Sequence, residues 1–579
     1  MYHKSPLTYL LAAIVLVCNL CQPLVSIAQN PNPLFAMYLG GEGQNKPLAV
    51  EILSDNSIAI AGNFTNVYNA SNDIYFNFFN ATNTSAGRIL IVNSYTKTYE
   101  LILNLGYEVY DFKAKDNYIV VAGDFGIAKI NPFTQQVIWK ISNPFKGKIK
   151  LDIDNNGNVV ALITKNIFLL ASSNGLKLGS YNVGHNYCND VAISNSVIYV
   201  TGYDSKINSG YTPCSLSPGD SFEPVEVAFI EAFSYSSSNP PTYGGDKIKY
   251  EFKTYKFEGS DLPCDMSSTR GYKLKKGNDG FLYFLGETDG PKNIFRWNGK
   301  TTWKLNGGNN PTAVYDLGYD NTHYIDNFPE GNTAQFVGKI NMSNGTVVKG
   351  IFNNTISQNT LYDYISSENG SLGIASDGTV YVGSMAGNSI SNRENSQYFN
   401  TAIAPYSGGD PSLMGINNQL TSTTLWNTFT AANGMGSVVG IDIGSSNYGS
   451  SQTMAVVTEL YAGNAITHTG YTQAFNPSAT DNLSDAHLMV YNIQSQVTAS
   501  NENKNENIKI INQGECIMVA CVLQKYQYQI IDMHGIIHQQ GQYEGNSSLI
   551  INKNELPQGV YIIKANNQEN FFTQKIDIK

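Results

Sequence analysis

One run of residues has the spacing of a cation site. Asp152-x-Asp154-x-Asn156-Gly157 sets oxygen-bearing side chains at alternate positions before a glycine that permits a sharp turn, which is the first half of a calcium loop. The closing acid is missing, because the twelfth position falls on Ile163. Similar Asp-, Asn- and Gly-rich turns recur along the chain where a turn alone explains them. The expectation is no cofactor, with calcium at Asp152, Asp154 and Asn156 as the one metal candidate. Histidines His185, His323, His468 and His487 show no His-x-x-x-His spacing. Asp485 and His487 could share a proton or a metal, but they lack a third member. Beyond the leader there is no Gly-x-Ser-x-Gly elbow, phosphate-cradling loop or Cys-x-x-Cys pair. Catalytic residues are therefore unassigned, and an enzyme is the less favoured reading.

Of seven cysteines, Cys18 and Cys21 lie in the N-terminal leader, which leaves five (7 − 2): Cys188, Cys214, Cys264, Cys516 and Cys521. An odd number cannot all pair within one chain. Cys214 and Cys264 each follow a proline at either end of an irregular stretch, so a bridge between them, or from either to Cys188, is expected in an oxidising compartment. Cys516 and Cys521 sit in an apolar run and read as buried thiols.

The leader has His3 and Lys4, an apolar core from Leu10 to Val17, and Ser26-Ile27-Ala28 before Gln29, the pattern of a cleaved signal peptide over residues 1–28. Its core is too short to span a bilayer, which takes about 20 apolar residues. No later segment reads as a transmembrane helix. A net charge of −10 with only 14% charged residues leaves no basic footprint for nucleic acid.

These candidates must be positioned by a β-rich body. A polar turn, a short apolar run and a glycine recur at Asp55 to Gly62, Asp116 to Gly123, Asn156 to Ala161, Asn195 to Gly202, Asp279 to Gly286 and Asp377 to Gly383, and each reads as a turn followed by an inner strand. Hairpins trail them at Ile91 to Tyr99, Lys129 to Trp139, Leu170 to Leu176, Arg296 to Trp303 and Lys339 to Val348. The starts of the first three lie 39 and 40 residues apart (130 − 91, 170 − 130), the period of a four-stranded propeller blade. An all-β propeller of seven or eight blades over residues 29–498 follows, because radial stacking buries faces that no blade can cover alone. Leu34 to Leu39 is expected to pair near Leu488 to Ile493 and close the ring. Lys129 to Trp139 resembles the outer turn of quinoprotein-type propellers, with Asn131, Thr134 and Trp139 in place and Gln135 where they have Gly. The stretch from Asp204 to Arg270, rich in proline, breaks the period and is a candidate binding loop.

Beyond a polar linker at residues 499–507, residues 508–579 form a small all-β unit. Tyr526 to Met533 alternates as a strand, Asp532 to Gly535 turns, and Ile536 resumes an extended run. Leu556-Pro557-Gln558-Gly559-Val560-Tyr561 then opens a strand ending at Lys564, and Phe571 to Ile578 adds another. This order resembles the type A C-terminal sorting domain of type IX (Por) secretion cargo, with Asp532, Gly535, Leu556, Pro557, Gly559, Tyr561 and Lys564 as its motif positions. The family's opening Tyr-Pro-Asn-Pro-like segment is replaced by Ile508 to Gly514. The resemblance implies a small β-sandwich, handling by the type IX machinery, passage across the outer membrane, and removal of the tail with release or attachment at the cell surface.

The resulting expectation is a secreted or surface-held propeller that binds a glycan or a protein, in adhesion for example. An extracellular hydrolase or lyase on the same scaffold is the alternative.

Overall fold

In the computed structural model the recurring apolar runs become strands of antiparallel blades, and seven blades form a ring. The structure describes most of residues 31–205 and strand segments within 226–288, 314–386, 397–465, 484–493 and 508–578. Residues 1–30, 206–225, 289–313, 318–333, 466–483 and 494–507, with shorter loop stretches, lie outside it, so the leader and the linker fall on residues not described. The chain divides into two compact units, Met1–Gln496 and Val497–Lys579. Among the described residues there is no α-helix, hence no helix long and apolar enough to cross a membrane.

The innermost strands are Asn45–Ile52, Val109–Lys115, Ile149–Ile153, Tyr187–Ser194, Thr269–Lys276, Ile365–Ile374 and Ala431–Ser445, for blades one to seven. Each packs beside the next, and the seventh packs beside the first, so the circle is closed. The N-terminal strand Asn32–Leu39 fastens it by pairing with Asp485–Ile493 as the outermost strand of blade seven, with Met37 opposite Leu488.

The apolar runs read as inner strands in the sequence are in fact the second strands: Ile58–Phe64, Tyr118–Gly123, Val159–Ile163, Val197–Ser205, Phe281–Thr288 and Val380–Ala386. The reason is burial on both faces. Val159 to Ile163 is buried at every position because alternate side chains enter the gaps toward blades two and four. An innermost strand shows one face to the channel, so Ile149, Leu151 and Ile153 are buried while Lys150 and Asp152 are half-exposed. Seven apolar clusters fill the seven gaps, for instance Ile89, Ile91 and Leu103 against Phe112, Ile119 and Val121 between blades one and two. Each fully buried Ile or Val contributes about 1.5–3 kcal/mol by leaving water, which is the main force holding the blades together.

In the terminal unit, Ile508–Gln513, Cys516–Cys521 and Leu549–Asn552 form one sheet. Ile537–Glu544, Lys525–Asp532, Gly559–Asn566 and Phe571–Ile578 form a second, in that order.

Candidate functional site: the central channel and its mouth

A bulge recurs in the innermost strands. Pairing with the second strand skips Leu48 in blade one, Tyr110 in blade two, Asn189 in blade four, Tyr272 in blade five and Val439 in blade seven. In the first four of these blades, the residue opposite the bulge is the recurrent glycine Gly62, Gly123, Gly202 or Gly286. A Cβ at Gly202 would stand 1.8 Å from the Tyr187 carbonyl oxygen, and one at Gly123 would stand 2.3 Å from that of Glu108, so only glycine admits the bulged strand. A bulge re-aims side chains. All five skipped residues line one cavity of about 760 Å³ at the channel mouth.

Other walls of the mouth come from Lys46, Glu108, Lys148, Tyr187, Tyr203, Arg270, Glu287, Glu368 and Glu459. Tyr187 and Tyr203 stack with ring centroids 4.7 Å apart, and Tyr187 remains 49% exposed. Glu287 is committed to structure: it accepts hydrogen bonds from Tyr272 Oη at 2.8 Å, Arg270 Nη1 at 3.2 Å and the Ser367 amide at 3.0 Å. Glu459 accepts from Tyr461 Oη at 3.3 Å, and burial pushes its carboxyl above the usual carboxylate range.

Below the mouth a cavity of about 240 Å³ is lined by alternating lysines and carboxylates. The carboxylates join successive blades. Asp442 accepts from the Ile52 amide at 2.9 Å, Asp111 from Leu151 at 2.9 Å, Asp152 from Ile193 at 2.7 Å and Asp190 from Leu274 at 2.8 Å. Lysines satisfy the remaining charge: Lys113 meets Glu51 at 2.8 Å, Lys275 meets Asp442 at 3.0 Å and Lys276 meets Asp152 at 3.1 Å. Burial opposes the charges of Asp442 and Lys113, yet the charge of Lys275 holds the Asp442 carboxyl below its ordinary value, and Glu51 raises Lys113. This ladder was not anticipated from the sequence, although the alternation of charge with apolar residues in Tyr110 to Lys115 and Ile149 to Asp152 carries its signal.

Asp152 is thus an inter-blade bond. Asp154 is buried, with Oδ1 accepting from the Asn158 amide at 2.7 Å and Oδ2 from Asn158 Nδ2 at 3.0 Å and Tyr235 Oη at 2.7 Å. Asn156 stands exposed in the turn, so the three side chains are engaged separately. Among the described residues no three His, Cys, Asp or Glu side chains converge as metal ligands would. His185 is held between Asp204 at 3.4 Å and Glu231 at 3.0 Å and stacks on Phe229. His487 is fully buried against Tyr38, while Asp485 accepts from Asn45. Cys188 is a free thiol at the mouth, and burial pushes it up to about 12. Cys214, His323 and His468, with the side chain of Cys264, lie outside the described residues, so the Cys214–Cys264 bridge does as well.

In the terminal unit several motif positions meet. Asp532 lies opposite Tyr561 in the sheet and bonds His538 Nε2 at 2.9 Å, and the His538 ring meets Tyr561 edge-on. Tyr561 Oη donates to the Pro557 carbonyl at 2.8 Å, and Leu556 is buried. Gly535 and the side chain of Lys564 lie outside the described residues.

Comparison with known proteins identifies the terminal unit. Residues 513–579 match the secretion system C-terminal sorting domain family, so this chain ends in a sorting domain of the type IX kind, which marks it for export to the outer surface or beyond. No curated protein matches the sequence. Similar solved structures include BamB from Moraxella catarrhalis, at 10% identity and TM-score 0.35, covering 80% of this chain and 99% of that one. The computationally designed Ika8 protein is similar at 11% identity and TM-score 0.34, with 73% and 96% covered. A quinohemoprotein alcohol dehydrogenase, ADHIIG from Pseudomonas putida HK5, is similar at 9% identity and TM-score 0.37, with 82% and 78% covered.

Proposed function

We propose that the exported propeller is a binding protein whose ligand, a glycan, enters the channel mouth. The observation behind this reading is the tyrosine set Tyr110, Tyr187, Tyr203 and Tyr272 around a cavity of about 760 Å³. That size suits a ligand of several sugar rings, and tyrosines offer flat apolar faces with a polar tip at little entropic cost. Charged groups beside them supply directional hydrogen bonds. Calorimetry with an oligosaccharide panel on the full chain tests the reading: Tyr187→Ala should weaken the best ligand about tenfold, roughly 1.4 kcal/mol. Unchanged affinity in that variant would defeat it.

The second reading is a hydrolase or lyase. Glu459, whose carboxyl burial raises above its ordinary range, lines the mouth together with Glu368, and glycoside cleavage uses a pair of carboxyl groups flanking the scissile bond. Oligosaccharide cleavage that disappears in Glu459→Gln would favour it over simple binding. Calcium at Asp152, Asp154 and Asn156 has no role in either reading.

A further inference from the structure

The mouth and the inner cavity meet at a neck, and the residues that line both are Leu48, Lys150, Lys273 and Val439. Both charged groups there are lysines. Elsewhere in the channel Lys113, Lys275 and Lys276 are matched to carboxylates, and Lys115 donates to the Asp154 carbonyl. No salt bridge joins Lys150 or Lys273 to a carboxylate among the described residues. The acids whose charge acts on Lys273, Asp190 and Asp111, accept from the amides of Leu274 and Leu151.

Two ammonium groups between two apolar side chains repel each other in a partly desolvated place. The charge of Lys150 is the main reason, and burial the next, that the Lys273 amine falls to about 8; Asp190 and Asp111 oppose this, and Lys113 adds to it. Asp190 and Asp111 offset the repulsion only in part and close no ion pair on either lysine, and a ligand carrying negative charge would relieve the remainder.

We infer that the neck formed by Lys150 and Lys273 is a subsite for the anionic group of an acidic saccharide, a carboxylate or a sulfate, whose sugar rings lie against the tyrosines of the mouth. This rests on the glycan reading above and sharpens it to acidic glycans. Ammonium groups suit either anion as point charges, so the choice between them lies with the ligand's shape.

The test measures binding of uronate oligosaccharides, sulfated oligosaccharides and neutral oligosaccharides of equal length to the full chain, its Lys150→Met and Lys273→Met variants, and Tyr187→Ala. Circular dichroism confirms folding of each. At least one acidic series should bind tenfold or more tighter than the neutral one, and each lysine variant should bring it to the neutral level. Lys150→Met should also raise the melting temperature of the free protein, because it removes the repulsion. Equal binding of acidic and neutral chains, or an acidic preference that survives both lysine variants, overturns the inference while leaving the glycan reading intact. If no oligosaccharide binds but inorganic sulfate protects Lys273 from acetylation, with protection lost in Lys150→Met, the anion site stands and the glycan reading falls.

Discussion

His487 should make the propeller acid-sensitive by a calculable amount. Its ring is fully buried in blade seven, opposite Tyr38 and Thr458 in the sheet, and neither ring nitrogen has a hydrogen-bond partner. Burial alone lowers its ionisation from the ordinary 6.5 to about 3. The folded protein therefore refuses a proton that the unfolded chain accepts. Stability is complete above pH 6.5 and declines as pH falls toward 3, by about 1.4 kcal/mol for each pH unit. At pH 4.5, two units below the unfolded value, the loss is about 2.7 kcal/mol. His487→Leu fills a similar volume and takes up no proton. Urea unfolding of both proteins at pH 7.5 and pH 4.5 isolates the term, since other titrating groups are common to the pair. The variant should gain about 2.7 kcal/mol on wild type between the two pH values, and at pH 7.5 it should be no less stable, having lost two unsatisfied buried nitrogens. Parallel behaviour of the two proteins across that range would refute the argument.

Deleting everything after Ser500 should leave a folded propeller that is retained inside the outer membrane; immunoblots of cell fractions would show it, and normal appearance outside the cell would remove the sorting assignment. Asp442→Ala removes the acceptor of the Ile52 amide, which ties blade seven to blade one, and leaves Lys275 unmatched. It should cost about 2–4 kcal/mol in denaturant unfolding, since removing one partner strands the other in a buried place. Chelation with EDTA should shift the melting temperature by less than a degree or two, as the oxygens of Asp152 and Asp154 already have internal donors. Cys188, with its thiol pushed up to about 12, should resist iodoacetamide at pH 8 in the folded protein and react readily in urea.

The ring was legible where burial is symmetrical. Val159 to Ile163 and Val197 to Gly202 announce themselves because both faces are packed, and a continuous apolar run needs no knowledge of its neighbours. The innermost strands escaped for the complementary reason. Lys150, Asp152, Lys273 and Lys275 break the apolar pattern, and their meaning depends on strands 40 to 390 residues away, as the bonds from Asp111 to Leu151 and from Asp442 to Ile52 show. The terminal motif was legible because its parts are local, Pro557 to Tyr561 above all. His538, which joins Asp532 to Tyr561, was missed because it sits on the strand after the turn.

The recurrent glycine links the two levels. Read along the chain it ends an apolar run, and in the blade it marks where the neighbouring strand carries an extra residue. That residue escapes the ladder and faces the mouth, which puts Leu48, Tyr110, Asn189 and Tyr272 there by one device used in four blades. Blade three has no such bulge, and its inner strand keeps regular pairing from Ile149 to Ile153. Lys150 consequently stays on the channel face and reaches the neck from below, whereas Lys273 arrives there immediately after the bulge at Tyr272. A regular blade and a bulged blade thus deliver like charges to one place. Holding two ammonium groups there works against assembly of the ring, and that repulsion is what a negatively charged guest would relieve.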